Sequence, residues 1–426
     1  MTFFFRCRCP MLLAALALTM SGQVQSRASA LPNPLFVGSL PRVATFTKPT
    51  LYIIPAAATA YDIASGDFTG TKIRDIVIAD GAAGSVSLLA GRGDGTFARQ
   101  RIVYSSPDKN VTAITAGDFN GDGHLDVAIV TEGSTTQDVV ILLGDGHRNF
   151  RQSATASLRP MSQIAPFPFG GLRSMTVGRF TRAATLDVVV NDGVDYISVF
   201  FGDGHGGLRA RHDLLADALP QSLLVADIYG NGLSDIAFID NDYPSVYTIA
   251  SHGDGTFGPR RLEKLGYLPV NANPVSIAGG DLRHLGRTDL FAVYSYTDPN
   301  ECGFGRLLLS SGPGMYEKAK DVNDVGCVSL PSVGAIADFN GDSNLDLAAV
   351  GQSFPRQNDL VVLPGNGDGT FSTAAETFLK IRTGFEVRVA DKLIVDDFNG
   401  DGKPDVAVAI DRTPGEGVEV LLNTTK

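Results

Sequence analysis

One motif recurs seven times and leaves few folds open. A short loop with an apolar run behind it begins at Asp67 (DFTGTKIRDIVIAD), Asp118 (DFNGDGHLDVAIV), Arg179 (RFTRAATLDVVVND), Asp227 (DIYGNGLSDIAFID), Asp281 (DLRHLGRTDLFAVY), Asp338 (DFNGDSNLDLAAVG) and Asp397 (DFNGDGKPDVAVAI). Six of these starts are acidic; in the third, Arg179 stands where the Asp is expected. Successive starts lie 51, 61, 48, 54, 57 and 59 residues apart. A fixed period of this length marks a repeat architecture, in which one unit cannot bury its own faces and must stack on its neighbours.

Within each unit the acid at the ninth position opens a short apolar strand (DIVIA, DVAIV, DVVVN, DIAFI, DLFAV, DLAAV, DVAVA). A second apolar strand follows, and in six units a glycine turn ending in an apolar residue comes next: GDGTF, GDGHRNF, GDGHGGL, GDGTF, GPGMY, GDGTF. The strands are nearly continuous in hydrophobicity, which predicts sheets covered on both faces. A unit of about 50 residues with four short strands reads as a propeller blade. The expectation is therefore an all-β, seven-bladed β-propeller. The seventh unit ends one strand short, at VEVLLN. Phe46 precedes Asp67 by the same 21 residues that separate Phe97 from Asp118. Phe46 thus resembles the end of a glycine turn whose first half is missing. The strand near Leu51–Ile54 is expected to complete the seventh blade, so that N- and C-terminal strands close the ring and cover its edges.

The chemistry lies in the acidic loops. Asp118, Asn120, Asp122 and Asp126 stand at positions 1, 3, 5 and 9 of one loop, and His124 at position 7 can add its carbonyl. Asp338, Asn340, Asp342, Asn344 and Asp346 repeat the pattern, as do Asp397, Asn399, Asp401, Lys403 and Asp405. Alternate spacing in a tight loop aims successive oxygens at one centre, and carboxylates packed this closely repel one another without a cation. Five protein oxygens at flexible geometry suit calcium better than magnesium. Position 6 is Gly123 and Gly402, but Ser343 in the sixth unit, where the geometry is expected to be less ideal. The loop is like the first half of an EF-hand loop, yet Ile129, Ala349 and Val408 stand where that loop has its closing Glu, so the ninth-position acid is expected to close the site. The alternative is an Asx turn without metal. The fourth unit keeps Asp227, Asn231 and Asp235 but has Tyr229 at position 3, and both readings stay open there. The first keeps only Asp67 and Asp75, and the third and fifth are expected to hold no ion.

Stretches such as DFNGDGHLDVAIV and GNGDGTF resemble FG-GAP repeats, also called VCBS repeats, as in the integrin α-subunit head. The resemblance runs from Phe46 to Asn423. It implies a seven-bladed propeller with calcium in the loop between the first and second strands of a blade. It also implies that partners usually bind the opposite face.

Residues 1–30 read as a signal peptide: Arg6 and Arg8, then the apolar run at 11–20, then Ala28-Ser29-Ala30. Cleavage is expected after Ala30, with an earlier cut near Ser21–Ser26 or an uncleaved start as alternatives; residues 31–426 then form the propeller. Removing three arginines and no acid takes the net charge from −11 to −14, which argues against nucleic acid as a partner. No later segment is long and apolar enough to span a membrane. The exported chain keeps two cysteines, Cys302 and Cys327, which read as a candidate disulfide pinning a loop that carries Tyr294, Tyr296 and Phe304. This loop, the segment with Phe167 and Phe169, and the loop with Phe354 are expected on the face opposite the acidic loops, where a protein or glycan partner is expected.

Other motifs are weak. Arg92-Gly93-Asp94 lies inside a glycine turn, as do His147, His205 and His252, and GDGHGG at 202–207 is followed by no helix. Asn110 and Asn423 begin glycosylation sequons. The expected function is an exported, calcium-binding adhesion or binding module. A lectin-like glycan binder, or the propeller body of an extracellular polysaccharide lyase or phospholipase, are the alternatives. The lectin reading asks for a similar aromatic-lined pocket at each blade junction, and the chain has no Trp. The enzyme reading asks for an acid, base or nucleophile cluster in the irregular loops, and no such motif stands out.

Overall fold

The computed structural model describes residues 42–54, 60–158, 174–183, 185–192, 195–216, 220–240, 245–263, 265, 272–296, 305–322, 328–353, 357–372, 377–381, 392–410 and 417–426. The signal-peptide reading, Cys302, Cys327, Phe167, Phe169, Phe304 and Phe354 lie outside them.

Seven four-stranded antiparallel sheets are present, one for each unit. Blade 1 runs Ala60–Gly66, Asp75–Asp80, Ser85–Leu89 and Arg101–Ser105. Blades 2 to 4 begin with Asn110–Gly117, Met175–Gly178 and Pro220–Ala226, and blades 5 and 6 with Ala272–Gly280 and Val328–Ala337. Blade 7 takes three strands from the C-terminus, Lys392–Asp396, Asp405–Ile410 and Gly417–Leu421, and its fourth, Thr50–Ile53, from the N-terminus. The terminal strands pair antiparallel, Thr50 opposite Val420 and Ile53 opposite Gly417. First strands pack on first strands around the ring, and Ala60–Gly66 of blade 1 meets Lys392–Asp396 of blade 7. The chain therefore forms a closed seven-bladed propeller.

The apolar second strands explain why the units cannot stand alone. Ile76 and Ile78 enter the cluster shared with blade 7, while Val77 and Ala79, on the other face of the same strand, enter the cluster shared with blade 2. Val127 and Ile129 complete that second cluster, and Ala128 and Val130 turn to blade 3. Seven such clusters fill the seven junctions. A period-2 pleat with both faces buried must read as a continuous apolar run.

The loops between first and second strands lock each blade to the next. Their second-position residue is fully buried: Phe68, Phe119, Phe180, Ile228, Leu282, Phe339 and Phe398. Its ring meets the residue that ends the next blade's glycine turn, with centroids 5.9 Å apart for Phe68 and Phe150, 5.4 Å for Phe180 and Phe257, and 5.7 Å for Phe398 and Phe97. Phe46 fills this place for blade 7. It lies 5.9 Å from Phe339 and bridges Asn423, just as Phe97 bridges Gly91 and Phe371 bridges Gly365.

Two local expectations change. Tyr294 and Tyr296 are not loop residues: the second strand of blade 5 runs Asp289–Tyr296, and Tyr294 is buried in the core shared with blade 4. The sequon at Asn423 is not presented to solvent. Asn423 is buried, and its side-chain amide donates to the Phe339 and Pro404 carbonyls at 2.8 and 3.1 Å. Asn110 is exposed.

Candidate functional site

The acidic loops share one backbone. The position-1 carboxylate accepts amides from across the loop: Asp118 from Gly121 and Gly123 at 2.7 and 3.0 Å, Asp338 from Gly341 and Ser343 at 2.7 and 2.8 Å, Asp397 from Gly400 and Gly402 at 2.8 and 2.8 Å. The position-6 residue adopts the left-handed region, with φ 85 at Gly123, 82 at Gly402 and 73 at Ser343. Only glycine takes that conformation at no steric cost, so the sixth loop is strained at Ser343.

Positions 3 and 5 carry the extra oxygens. Asp122 N donates to Asn120 Oδ1 at 2.9 Å, and Asn120 Nδ2 to Asp122 Oδ2 at 2.8 Å. Asn340 and Asp342 repeat both bonds, at 2.9 and 3.1 Å. Asp401 N donates to Asn399 Oδ1 at 2.9 Å. The position-7 amide closes the set, from His124, Asn344 and Lys403 to the position-5 carboxylate at 2.8, 2.8 and 3.0 Å. Lys403 Nζ also lies 3.7 Å from Asp401 Oδ2.

The ninth-position Asp has a role that motif spacing did not reveal. Asp126 is buried and accepts Phe119 N and Gly144 N, both at 2.8 Å. Asp405 accepts Phe398 N and Asn423 N, and Asp346 accepts Phe339 N and Gly365 N. Asp75, Asp187 and Asp235 each take the corresponding pair of amides, although their loops have lost part of the ligand pattern. Asp289 accepts the second of these amides, from Ser310. This residue is thus a backbone clamp that ties the acidic loop to the end of the third strand. The signal was in the sequence: Asp stands at position 9 in all seven units, including those stripped of the other acids.

Among the described residues no group of three or more His, Cys, Asp or Glu side chains converges closely enough to hold a metal ion. The donor chemistry of three loops nevertheless suits one. Burial pushes Asp126 up to about 6, and the charges of Asp122 and Asp118 add to the rise. Burial raises Asp405 to about 6, with Asp401 and Asp397 adding, and Asp346 to about 7, with Asp342 adding. A cation among these oxygens would relieve both the repulsion and the desolvation. In the fourth loop burial raises Asp235 and Asp227 adds to it, and Asp227 accepts Asn231 N and Gly232 N. Tyr229, however, brings no oxygen to the loop: its hydroxyl lies 3.3 Å from Thr248 Oγ1 and its ring covers Gly314 of blade 5.

The glycine turns are structural. Asp94 Oδ1 accepts Thr96 N and Thr96 Oγ1 at 2.9 and 2.6 Å, which folds Arg92-Gly93-Asp94 into a tight turn. In the corresponding turns His252 of blade 4 takes the place of Arg92, and His147 and His205 of blades 2 and 3 take the place of Asp94.

A family model described as an FG-GAP-like repeat matches residues 67–129 and 338–408, which span the acidic loops of blades 1, 2, 6 and 7. These FG-GAP-like repeats are set in a closed ring of seven blades. No curated protein matches it. Similar solved structures include AofleA from Arthrobotrys oligospora, at 12% identity and a TM-score of 0.43, covering 79% of this chain and 91% of that one. Another is the six-bladed fungal lectin from Aleuria aurantia, at 8% identity and a TM-score of 0.41, covering 78% of this chain and 97% of that one.

Proposed function

We propose that this protein is an exported, calcium-stabilised propeller that serves as a binding module for a protein or glycan partner. The observation that carries the calcium reading is the electrostatics of three loops. In blades 2, 6 and 7 the buried position-9 carboxyl faces further loop carboxylates, whereas Asp187 of blade 3 faces Arg209 instead. Asp118, Asn120, Asp122 and Asp126 would hold one ion, and the corresponding residues of the sixth and seventh loops two more, with the carbonyls of His124, Asn344 and Lys403 completing the oxygen set. Calcium bound there supplies positive charge that fixes the loop against the next blade. Export rests on residues 1–30. The partner is assigned to the face opposite the acidic loops, following the sequence expectation that the longer, aromatic-bearing connections lie there.

Calcium uptake by equilibrium dialysis tests the metal sites directly. D122A or D401A should each lower the bound count by about one. An unchanged count, with melting indifferent to chelator, refutes the assignment. A glycan array probed with and without chelator separates a sugar ligand from a protein one.

A further inference from the structure

The fifth loop breaks the ligand pattern in a particular way. Its backbone is that of the other loops: Asp281 accepts Leu285 N and Gly286 N at 2.8 and 2.7 Å, and Gly286 takes φ 66. Position 5 is Leu285, which is exposed, and position 3 is Arg283. Where Asn120, Asn340 and Asn399 offer an oxygen, Arg283 folds its guanidinium back onto the ninth-position acid. Nη2 lies 2.9 Å from Asp289 Oδ1 and Nε 3.4 Å from Asp289 Oδ2, a two-point contact on a carboxylate that is 1% exposed. Nη1 donates to Glu317 Oε1 at 3.2 Å, and Nη2 also to the Ser310 carbonyl. The side chain itself is only 15% exposed, and its Cδ would lie 3.3 Å from a Cβ at Gly369, in the glycine turn of blade 6.

The third loop reaches a similar balance by another route. It has Arg179 at position 1 and no acid at positions 3 or 5. The charge beside its Asp187 is that of Arg209, from the fourth strand, whose guanidinium is anchored on the Gly202 carbonyl at 2.7 and 3.1 Å. In the second, sixth and seventh loops the ninth-position acid faces other carboxylates and the full oxygen set is present, whereas the first and fourth, where Asp67 and Asp227 stand near Asp75 and Asp235, keep only part of it. The third and fifth, which keep least of it, each bring an arginine to the acid. A buried carboxylate needs a compensating charge, and a planar guanidinium can supply it bidentately.

We propose that Arg283 is a tethered cation, occupying in the fifth loop the place that calcium takes in the second, sixth and seventh, so that blade 5 is locked to blade 6 without metal. The inference rests on the calcium reading for its comparison, but its charge balance can be tested alone. R283M should lower the melting temperature in chelator on the order of 5 °C by leaving Asp289 uncompensated, and calcium should not restore it. R283K, which keeps the charge and loses the fork, should recover part of that loss. The double variant R283N/L285D rebuilds positions 1, 3, 5 and 9 as Asp, Asn, Asp and Asp. It should bind one more calcium than the parent in equilibrium dialysis and should melt lower than the parent in chelator but recover when calcium is added. An R283M protein as stable as the parent in chelator overturns the proposal, as does a folded double variant with the parental count. A parent that takes up no calcium refutes the metal reading instead, and the R283M and R283K melting comparison still decides the role of the arginine.

Discussion

On the calcium reading the ninth-position Asp of blades 2, 6 and 7 would be both clamp and ligand, and blade 3 keeps the clamp alone, so the two roles can be separated. In D187A the Phe180 and Gly202 amides, each 3.0 Å from a lost carboxylate oxygen, remain buried with no acceptor. An orphaned buried donor costs about 1–3 kcal/mol, so two should cost about 3–5 kcal/mol once some relaxation is allowed. No calcium is assigned to that loop, so the loss should be the same with calcium and with chelator. D126A strands Phe119 N and Gly144 N in the same way and should cost a similar amount in chelator. In calcium it should cost more, because the parent gains about 2–3 kcal/mol from a site filled well above its dissociation constant. Equilibrium denaturation of both variants, with and without calcium, gives four numbers. A D187A loss below about 1 kcal/mol would refute the clamp. Equal calcium dependence in the two variants would refute the division of labour.

S343G should stabilise the protein. Relief of a left-handed non-glycine residue gains about 1–2 kcal/mol and the freer unfolded glycine gives back about 0.5–1 kcal/mol, leaving a net rise in denaturation midpoint, and a fall would show that Ser343 is not strained. Part of the pH dependence, alongside that of the raised Asp126, Asp346 and Asp405, should come from Asp80, whose carboxyl is raised to about 6 by burial against the bonds from Ser87 and Ser85. Because the folded state holds this proton more tightly than the unfolded chain, its contribution is full below the ordinary carboxylate range and is lost as pH rises through about 6. D80N should remove on the order of 2–3 kcal/mol of that dependence and leave the share of the other three carboxyls, and an unchanged slope would exclude Asp80 as a contributor. In hydrogen exchange, the Gly206 amide, bonded across the blade 2–3 junction to the Phe119 carbonyl at 3.0 Å, should slow when calcium is added. Its counterpart Gly255, bonded to the Phe180 carbonyl at 3.2 Å beyond a loop with no assigned ion, should not; equal slowing at both would mean that calcium acts elsewhere.

Blade number and ring closure were legible because they depend on pattern. After its opening Asp, each run such as DIVIA or DVAIV is apolar at every position for the reason that both faces of the strand are covered, and the 21-residue offset put Phe46 in the turn-end place it occupies beside Phe339. What escaped depends on where a side chain goes after its backbone is placed. An Asp that binds metal and an Asp that clamps amides look alike in a motif, so the position-9 residues were read as ligands first. Arg283 was visible as a lost ligand, but spacing does not show a guanidinium folding back onto Asp289. Tyr294 was assigned to a loop because the strand DLFAVYSY runs beyond the short apolar core of its unit. The Asn423 sequon failed for a topological reason: the C-terminal tail substitutes for a glycine turn, and its side chains are spent on the Phe339 carbonyl.

The second-position residue explains why these loops matter to the ring as a whole. Phe119 gives its amide to Asp126, its ring to the core between blades 2 and 3, and its carbonyl to Gly206 of blade 3. Phe339 does the same across the last junction, where its carbonyl accepts Asn423 Nδ2 and Thr425 Oγ1 from the C-terminal tail. Each residue stands between the position-1 and position-3 oxygens of its own loop. Whatever orders such a loop therefore also acts on the contact between one blade and the next. In the sixth loop that contact includes the C-terminal tail, whose Asn423 and Thr425 reach the Phe339 carbonyl beside the pairing of Thr50–Ile53 with Gly417–Leu421.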